Sequence, residues 1–387
     1  MAGSLAQGLQ VVLRVPAGAS LVLGVPAPLR IAHALVELGV ERFVFVADSI
    51  PTFARSWNGQ LRSLPWTSIS PVDGSLAGSL DDRSPVLILA PDGMPHPADL
   101  RAFVAEARWR ATSTAWVWSG RTVAMYFPAA SQLFTAFPHA SVGFPTSALS
   151  QPSAHRLVAL SRSWYDLQDG KDVQRAERDL LLGLRKDTDG YLARVDRRLS
   201  IALSRVLLRT PITPNAITAS SLVVGLVGAA LLATPHYATA LAGAFLLWTT
   251  CILDGCDGEI ARLKLLATPF GARFDVVADT IVHIALFVAL PLNVYLTHPG
   301  VAVIPAGLVL LTGVVLSMVF VWWLLLRSPA PRRGPVELFY ERVASRDFIY
   351  VILVLAAVRH LDWFLWTAAA GSHLFWLSLC FLSWRRR

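Results

Sequence analysis

The pattern of apolar and polar positions changes character near residue 200. Before it, short apolar runs alternate with polar, Gly- and Pro-marked turns. Gln10–Val15 (QVVLRV), Arg42–Val46 (RFVFV) and Pro85–Ala90 (PVLILA) read as buried strands, with Ala115–Trp118 and Val123–Phe127 as further ones. Pro28–Leu38 sets Leu29, Ile31, Ala32, Leu35 and Leu38 at helical spacing and is closed by Gly39; Leu100–Arg110 reads as a second helix. Alternation of strands and helices predicts an α/β domain over residues 1–165, with a mostly parallel sheet and ligand sites at strand ends.

A polar linker follows at 166–190, carrying the charge run KDVQRAERD, a short amphipathic helix over Ala176–Leu184 and the stop Asp187-Thr188-Asp189-Gly190. The region 191–387 is read as an all-α membrane domain. It opens with an amphipathic helix over 191–208, whose stripe is Leu192, Val195, Leu199, Leu203, Val206 and Leu207, with Arg194, Arg197, Arg198 and Arg205 on the other faces. A basic amphipathic helix directly before apolar spans is expected to lie on a membrane surface. With about 20 residues per crossing as the yardstick, six spans are predicted, at 216–234, 237–256, 274–296, 302–326, 346–359 and 363–384. Arginine placement orients them. The intervals Arg262–Arg273 and Arg327–Arg346 and the tail Arg385-Arg386-Arg387 are basic, whereas the opposite turns carry little charge. Both ends and the α/β domain are therefore expected in the cytoplasm, on the inner side of a cell inner membrane.

Composition agrees with a membrane protein joined to a soluble part. The chain of 387 residues is 54% hydrophobic and 16% charged, with mean hydropathy +0.52. Its net charge of +8 comes almost wholly from arginine, since Lys171, Lys186 and Lys264 are the only lysines. Because much of that charge flanks apolar spans, it points to lipid headgroups rather than nucleic acid. Cys251, Cys256 and Cys380 form neither a disulfide framework nor a zinc pattern, and Cys256 reads as filler. The first twenty residues lack a basic start and an uninterrupted apolar core, so no signal peptide is expected.

The chemistry concentrates between Asp254 and Asp279, in DGCDGEIARLKLLATPFGARFDVVAD. Asp254, Asp257 and Ala261 lie three and four residues apart on one helical face; Gly271, Asp275 and Asp279 lie four apart on another. Two antiparallel helices joined by Leu263–Phe270 would bring the acids together. Carboxylates among membrane spans are costly and need a partner, and hard divalent cations that also clamp phosphates suit such oxygens. Gly258 leaves room for a ligand to approach the backbone. Arg262 offers a fixed positive charge for a phosphate.

The motif DxxDGxxARx8GxxxDxxxD resembles the signature of the CDP-alcohol phosphatidyltransferase family and is met at Asp254, Asp257, Gly258, Ala261, Arg262, Gly271, Asp275 and Asp279. That resemblance implies an integral membrane enzyme. It would transfer a substituted phosphate from a CDP-alcohol donor to an acceptor hydroxyl with release of CMP, in phospholipid or inositol-phosphate-type synthesis. It implies that Asp254, Asp257 and Asp275 hold two divalent cations, Mg²⁺ or Mn²⁺, with Asp279 close to one and acting as general base. Gly258, Ala261 and Arg262 would line the CDP site, with Thr268 as a further nucleotide contact. Thr213-Pro214-Asn215-Ala216-Ile217-Thr218 resembles the start of the family's first membrane helix, which adds Asn215 and Thr218 to the nucleotide candidates. Arg332, Arg333 and Arg346 are candidates for an acceptor phosphate, although the positive-inside rule also accounts for them. The family implies a homodimer through membrane helices.

The piece LVLGVPAPLRIAHALVELGVERFVFVADS resembles part of a sugar-phosphate nucleotidyltransferase domain. The triphosphate-binding pattern is absent. Pro16-Ala17-Gly18-Ala19-Ser20 replaces the Gly- and Arg-containing loop, and no lysine precedes Lys171. The α/β domain is therefore expected to be inactive, with Asp92 either a strand-end turn residue or a remnant metal ligand. Two alternatives stand beside the main reading: a bifunctional enzyme that makes and consumes a CDP-alcohol of the CDP-inositol type, and a non-catalytic membrane scaffold or transporter.

Overall fold

The structure, a computed structural model, describes residues 6–16, 18–71, 76, 78–110, 112–119, 121–137, 155–157, 164–184, 191–300, 302–327 and 348–384. It divides into two compact units. The first comprises Met1–Lys186 with the short segments Leu207–Pro211 and Ile260–Thr268; the second comprises Asp187–Val206, Ile212–Glu259 and Pro269–Arg387.

The first unit is α/β. Its elements are β1 (Gln10–Val15), β2 (Leu21–Val22), β3 (Val25–Pro26), α1 (Ala27–Val36), β4 (Arg42–Ala47), α2 (Ile50–Ser56), α3 (Asn58–Arg62), β5 (Trp66–Pro71), β6 (Val86–Leu89), β7 (Gly93–Pro95), α4 (Pro97–Arg110), β8 (Thr114–Trp118), β9 (Arg121–Phe127), α5 (Ala130–Ala136), β10 (His155–Leu157), β11 (Trp164–Asp166) and α6 (Gly170–Leu182). One seven-stranded sheet has the order β10-β8-β9-β6-β1-β4-β5. β1 pairs in parallel with both β4 and β6, setting Val12 beside Val44 and Ile88. β9 runs antiparallel between β6 and β8. Both faces are buried: Val11, Leu13, Phe43, Phe45, Leu87 and Leu89 share one core with α1 and α4, and Val12, Val44, Val46, Val86 and Ile88 share the other with Leu133 of α5. Burial on both sides explains why these strands are continuous apolar runs rather than alternating ones.

Within this unit, Arg30 of α1 is buried, and its guanidinium donates to the carbonyls of Val22 at 2.8 Å and Leu263 at 2.7 Å. Burial pulls its pKa down to about 10, which leaves it charged at neutral pH. Burial also holds His33, which lies against the Gln60 carbonyl at 3.3 Å, below the usual histidine range. Asp92, in the turn after β6, accepts an ion-paired bond from Arg121, which suits a turn residue better than a remnant ligand.

The second unit is helical: α7 (Tyr191–Leu207), α8 (Pro214–Leu232), α9 (Tyr237–Leu263, whose last turn falls in the first unit), α10 (Pro269–Thr297), α11 (Val303–Arg327), α12 (Phe348–Ala357) and α13 (Leu361–Trp384). Among the described residues, four stretches are long and apolar enough to cross a membrane: Pro214–Leu232, Tyr237–Leu263, Pro269–Thr297 and Val303–Phe320. α12 is apolar but has ten residues. α8 starts with Pro214 behind Thr213, whose hydroxyl accepts the Ala216 N–H, the expected first-turn chemistry.

Small residues let these helices close up. A Cβ on Gly243 of α9 would fall 2.4 Å from the Leu232 nitrogen and 2.5 Å from the Gly228 carbonyl oxygen, both backbone atoms of α8. A Cβ on Gly225 would fall 2.6 Å from Val282 of α10. Gly225, Gly228 and Gly243 therefore set the close approach of α8 to α9 and α10, as small residues do in membrane bundles.

Candidate active site

The acidic residues sit inside long helices rather than in a loop. α9 runs seven residues beyond the predicted span end at 256, and α10 begins at Pro269, so the connector shrinks to residues 264–268. Asp254 and Asp257 belong to α9, Asp275 and Asp279 to α10. Asp254, Asp275 and Asp279 each offer a carboxylate oxygen, and these oxygens lie within 4.8 Å of one another. Three carboxylates this close repel unless cations lie between them. The donor set is all hard oxygen, as Mg²⁺ and Mn²⁺ prefer.

Asp257 completes the wall of the same cleft, which is lined by Thr218, Ser221, Leu222, Thr250, Asp254, Asp257, Asp275, Ala278, Asp279 and Val282. Thr218 of α8 donates its hydroxyl proton to Asp257. Glycine-mediated packing brings that hydroxyl within reach. Among the described residues, the lining contains four carboxylates and no lysine or arginine.

Of the other sequence candidates, Asn215 stands in the first turn of α8 and Gly258 in α9, both outside that lining. Ala261 and exposed Arg262 follow in the last turn of α9, and exposed Thr268 ends the connector. Gly271 lies in the first turn of α10. Arg332, Arg333 and Arg346 lie outside the described residues. Ser221 and Thr250 were not anticipated; the Ser221 hydroxyl donates to the Thr250 carbonyl at 3.4 Å. The spacing Thr218, Ser221, Gly225 on α8 and Thr250, Asp254, Asp257 on α9 held the signal, since each set of small or polar residues falls on one helical face.

α7 adds an unforeseen feature. Its stripe residues Val195, Leu199 and Val206 are exposed, while Ser200, Ile201 and Ser204 are buried. Cys256, expected to be filler, is buried and donates its thiol to the Ser200 carbonyl at 3.4 Å.

Comparison with known proteins agrees with this helical part. Residues 211–383 match the family model described as CDP-alcohol phosphatidyltransferase. The chain carries a CDP-alcohol phosphatidyltransferase domain. Among curated proteins, the chain is similar to a bifunctional IPC transferase and DIPP synthase of Aquifex aeolicus, 34% identical over 132 residues, covering 34% of this chain and 30% of that protein. The protein of the same name from Archaeoglobus fulgidus is 34% identical over 143 residues, covering 36% of this chain and 27% of the relative. The matched stretches thus span less than a third of these relatives. Among solved structures, phosphatidylinositol phosphate synthase of Mycobacterium tuberculosis with CDP-DAG bound is 21% identical, with a TM-score of 0.36, covering 48% of this chain and 94% of that chain.

Proposed function

We propose that the chain is an integral membrane CDP-alcohol phosphotransferase whose domain at 191–387 moves a substituted phosphate from a CDP-alcohol to an acceptor hydroxyl and releases CMP. The observation that carries this reading is the cleft lined by Asp254, Asp257, Asp275 and Asp279, in which oxygens of Asp254, Asp275 and Asp279 lie within 4.8 Å of one another. Charge sets the number of ions. One divalent cation against four carboxylates would leave a net negative cleft that repels a pyrophosphate; two bring it to neutrality. Two ions of Mg²⁺ or Mn²⁺ are therefore assigned, held by Asp254, Asp257 and Asp275, with Asp279 beside one. When bound, they neutralise the pyrophosphate oxygens and the charge that builds on the leaving CMP.

The chain's own residues supply the rest. Asp279 accepts the proton of the acceptor hydroxyl as its oxygen attacks the phosphorus esterified to the alcohol. A new P–O ester bond forms, the pyrophosphate P–O bond breaks, and CMP leaves with that electron pair. Gly258, Ala261 and Arg262, with Asn215, Thr218 and Thr268, are the assigned nucleotide contacts, and Arg332, Arg333 and Arg346 the assigned contacts of an acceptor phosphate.

The domain is read as six membrane crossings, with α7 on the membrane surface through its exposed stripe. The α/β unit and both ends face the cytoplasm of a cell inner membrane, and the protein is a homodimer. The bifunctional names of the matched curated relatives keep a second reading open, in which the α/β unit makes the CDP-alcohol. Conversion of CTP to a CDP-alcohol by the full chain would support that second reading.

The deciding experiment measures CMP release by the purified protein with Mg²⁺ or Mn²⁺ against panels of CDP-alcohols and alcohol acceptors. Release that needs metal and one acceptor, and falls at least about a thousandfold in Asp279→Asn, is expected from loss of a base that also sits at the metals. Asp279→Asn turning over at the wild-type rate would refute the assignment.

A further inference from the structure

The face of α9 turned away from the cleft is tied to α7 by an arrangement that packing alone does not require. A Cβ on Gly255 would fall 3.0 Å from the Ser200 Cβ, so the two helices touch there. Glu259 has no exposed surface. One of its oxygens accepts from the Ser200 hydroxyl at 2.6 Å and from the Arg197 guanidinium at 3.3 Å. Next to Arg197, Asp196 accepts from the Tyr350 hydroxyl of α12. Adjacent residues of α7 thus reach two different helices. A fully buried carboxylate is costly, and it persists only where a partner and a fixed geometry compensate.

Helix periodicity links this contact to the cleft. Cys256 and Glu259 are three apart, Gly255 and Glu259 four apart, so they share a face that Asp254 and Asp257 do not. Turning α9 about its axis moves both faces together. A carboxylate oxygen about 5 Å from that axis shifts about 1 Å for a turn of about 10°, well beyond the roughly 0.2 Å tolerance of a metal–ligand distance.

We infer that Arg197, Ser200 and Glu259 form a positioning latch through which α7 fixes the rotation of α9 and so aims Asp254 and Asp257 at the cation site. The inference rests on the reading of the acidic cleft as a cation site. Neither Arg197 nor Glu259 is among the residues that line the cleft; they act through the helix.

Binding of Mn²⁺ to the purified full chain in lipid nanodiscs, followed by the electron-spin signal of free Mn²⁺, tests it without turnover. The latch predicts that Arg197→Ala weakens Mn²⁺ binding by about tenfold, as loss of a residue that orients metal ligands does, and that Arg197→Lys recovers most of the loss. The sign is decisive. Removing a positive charge near a cation site would by Coulomb attraction alone tighten binding, so weakening requires a change of geometry. Gly255→Ala, which presses a Cβ on Ser200 without altering charge, is expected to weaken binding in the same direction, as is Ser200→Ala, which removes the hydroxyl bonded to Glu259 without adding bulk. That pair decides the matter where Arg197→Ala does not fold. Binding unchanged or tighter in Arg197→Ala, or unchanged in Gly255→Ala, overturns the latch while wild type still binds and Asp275→Asn does not. Wild type that binds no Mn²⁺, or Asp275→Asn that binds as well as wild type, overturns the cation reading and the latch with it.

Discussion

The Thr218–Asp257 contact offers the most direct perturbation of the cleft. Thr218→Val swaps the hydroxyl for a methyl and keeps the β-branch, so the rotamer and helix start are retained. Thr218 is 4% exposed and Asp257 is 5% exposed, so their contact is buried in the cleft wall. The Thr218 hydroxyl has one proton, and its other neighbour, the Pro214 carbonyl at 3.3 Å, is the weaker acceptor. A hydrogen bond to a charged group contributes about 1.5–3 kcal/mol. Without cations the Asp257 side chain can turn, so the loss falls mainly on the loaded site, where the carboxylate is fixed. At about 1.4 kcal/mol per tenfold, half-saturation by Mn²⁺ in CMP release is expected to rise about 10- to 100-fold, with kcat at saturating metal little changed. The assay titrates Mn²⁺ at saturating CDP-alcohol and acceptor, with Thr218→Ser as the variant that keeps the hydroxyl. Half-saturation of Thr218→Val within about twofold of wild type would refute the reasoning. So would an equal loss in Thr218→Ser, which would point to packing.

Two further outcomes follow from the packing and the electrostatics. Gly243→Ala forces a Cβ onto backbone atoms of Leu232 and Gly228. The detergent-solubilised protein is expected to lose at least about 1–3 kcal/mol of stability, read as a lowered Tm, whereas Gly371→Ala, with nothing within 4 Å of its Cβ, is expected to unfold like wild type. His33 is held below its unfolded pKa chiefly by burial, with the Arg30 charge adding to it. Its contribution is therefore complete above an unfolded value of about 6.5 and is lost as pH falls from there toward the folded pKa. Thermal unfolding of the α/β unit within the full chain is expected to weaken from pH 7.5 to 5.5 more steeply than in His33→Gln, and parallel slopes would count against it.

Much of this was legible in the sequence where one physical rule decides the outcome. The apolar runs Val11–Leu13 of β1 and Val86–Leu89 of β6 are continuous because both sheet faces are covered, and length separates them from helices. The helical spacing of Asp254 with Asp257, and of Asp275 with Asp279, foretold which acids share a face. What the sequence hid depends on contacts between helices distant in the chain. Nothing local marks Thr218 as a donor to Asp257, 39 residues away, because glycines at 225, 228 and 243 create that proximity. Ser200 and Ser204 lie off the apolar stripe of α7, yet they are buried. Small hydroxyl residues allow the close packing that the stripe of Leu and Val cannot.

Three acids of α9, Asp254, Asp257 and Glu259, show how position on one helix separates roles. All fall within six residues in a helix otherwise apolar over most of its length. Each would be costly in such a setting without local compensation. Asp257 and Glu259, two residues apart, point about 200° away from each other around the axis. Glu259 meets Arg197 and Ser200 on the α7 side. Asp257 meets the hydroxyl of Thr218, which shares a carboxylate's charge but cannot cancel it, and lines the cleft together with Asp254, Asp275 and Asp279. The compensation at Glu259 is supplied by a protein cation and is permanent, as suits a fixed support. Among the described residues that line the cleft none is basic, which suits a balancing charge that is exchangeable. That asymmetry suits a site where charge is met by metal and by a phosphate-bearing substrate that comes and goes.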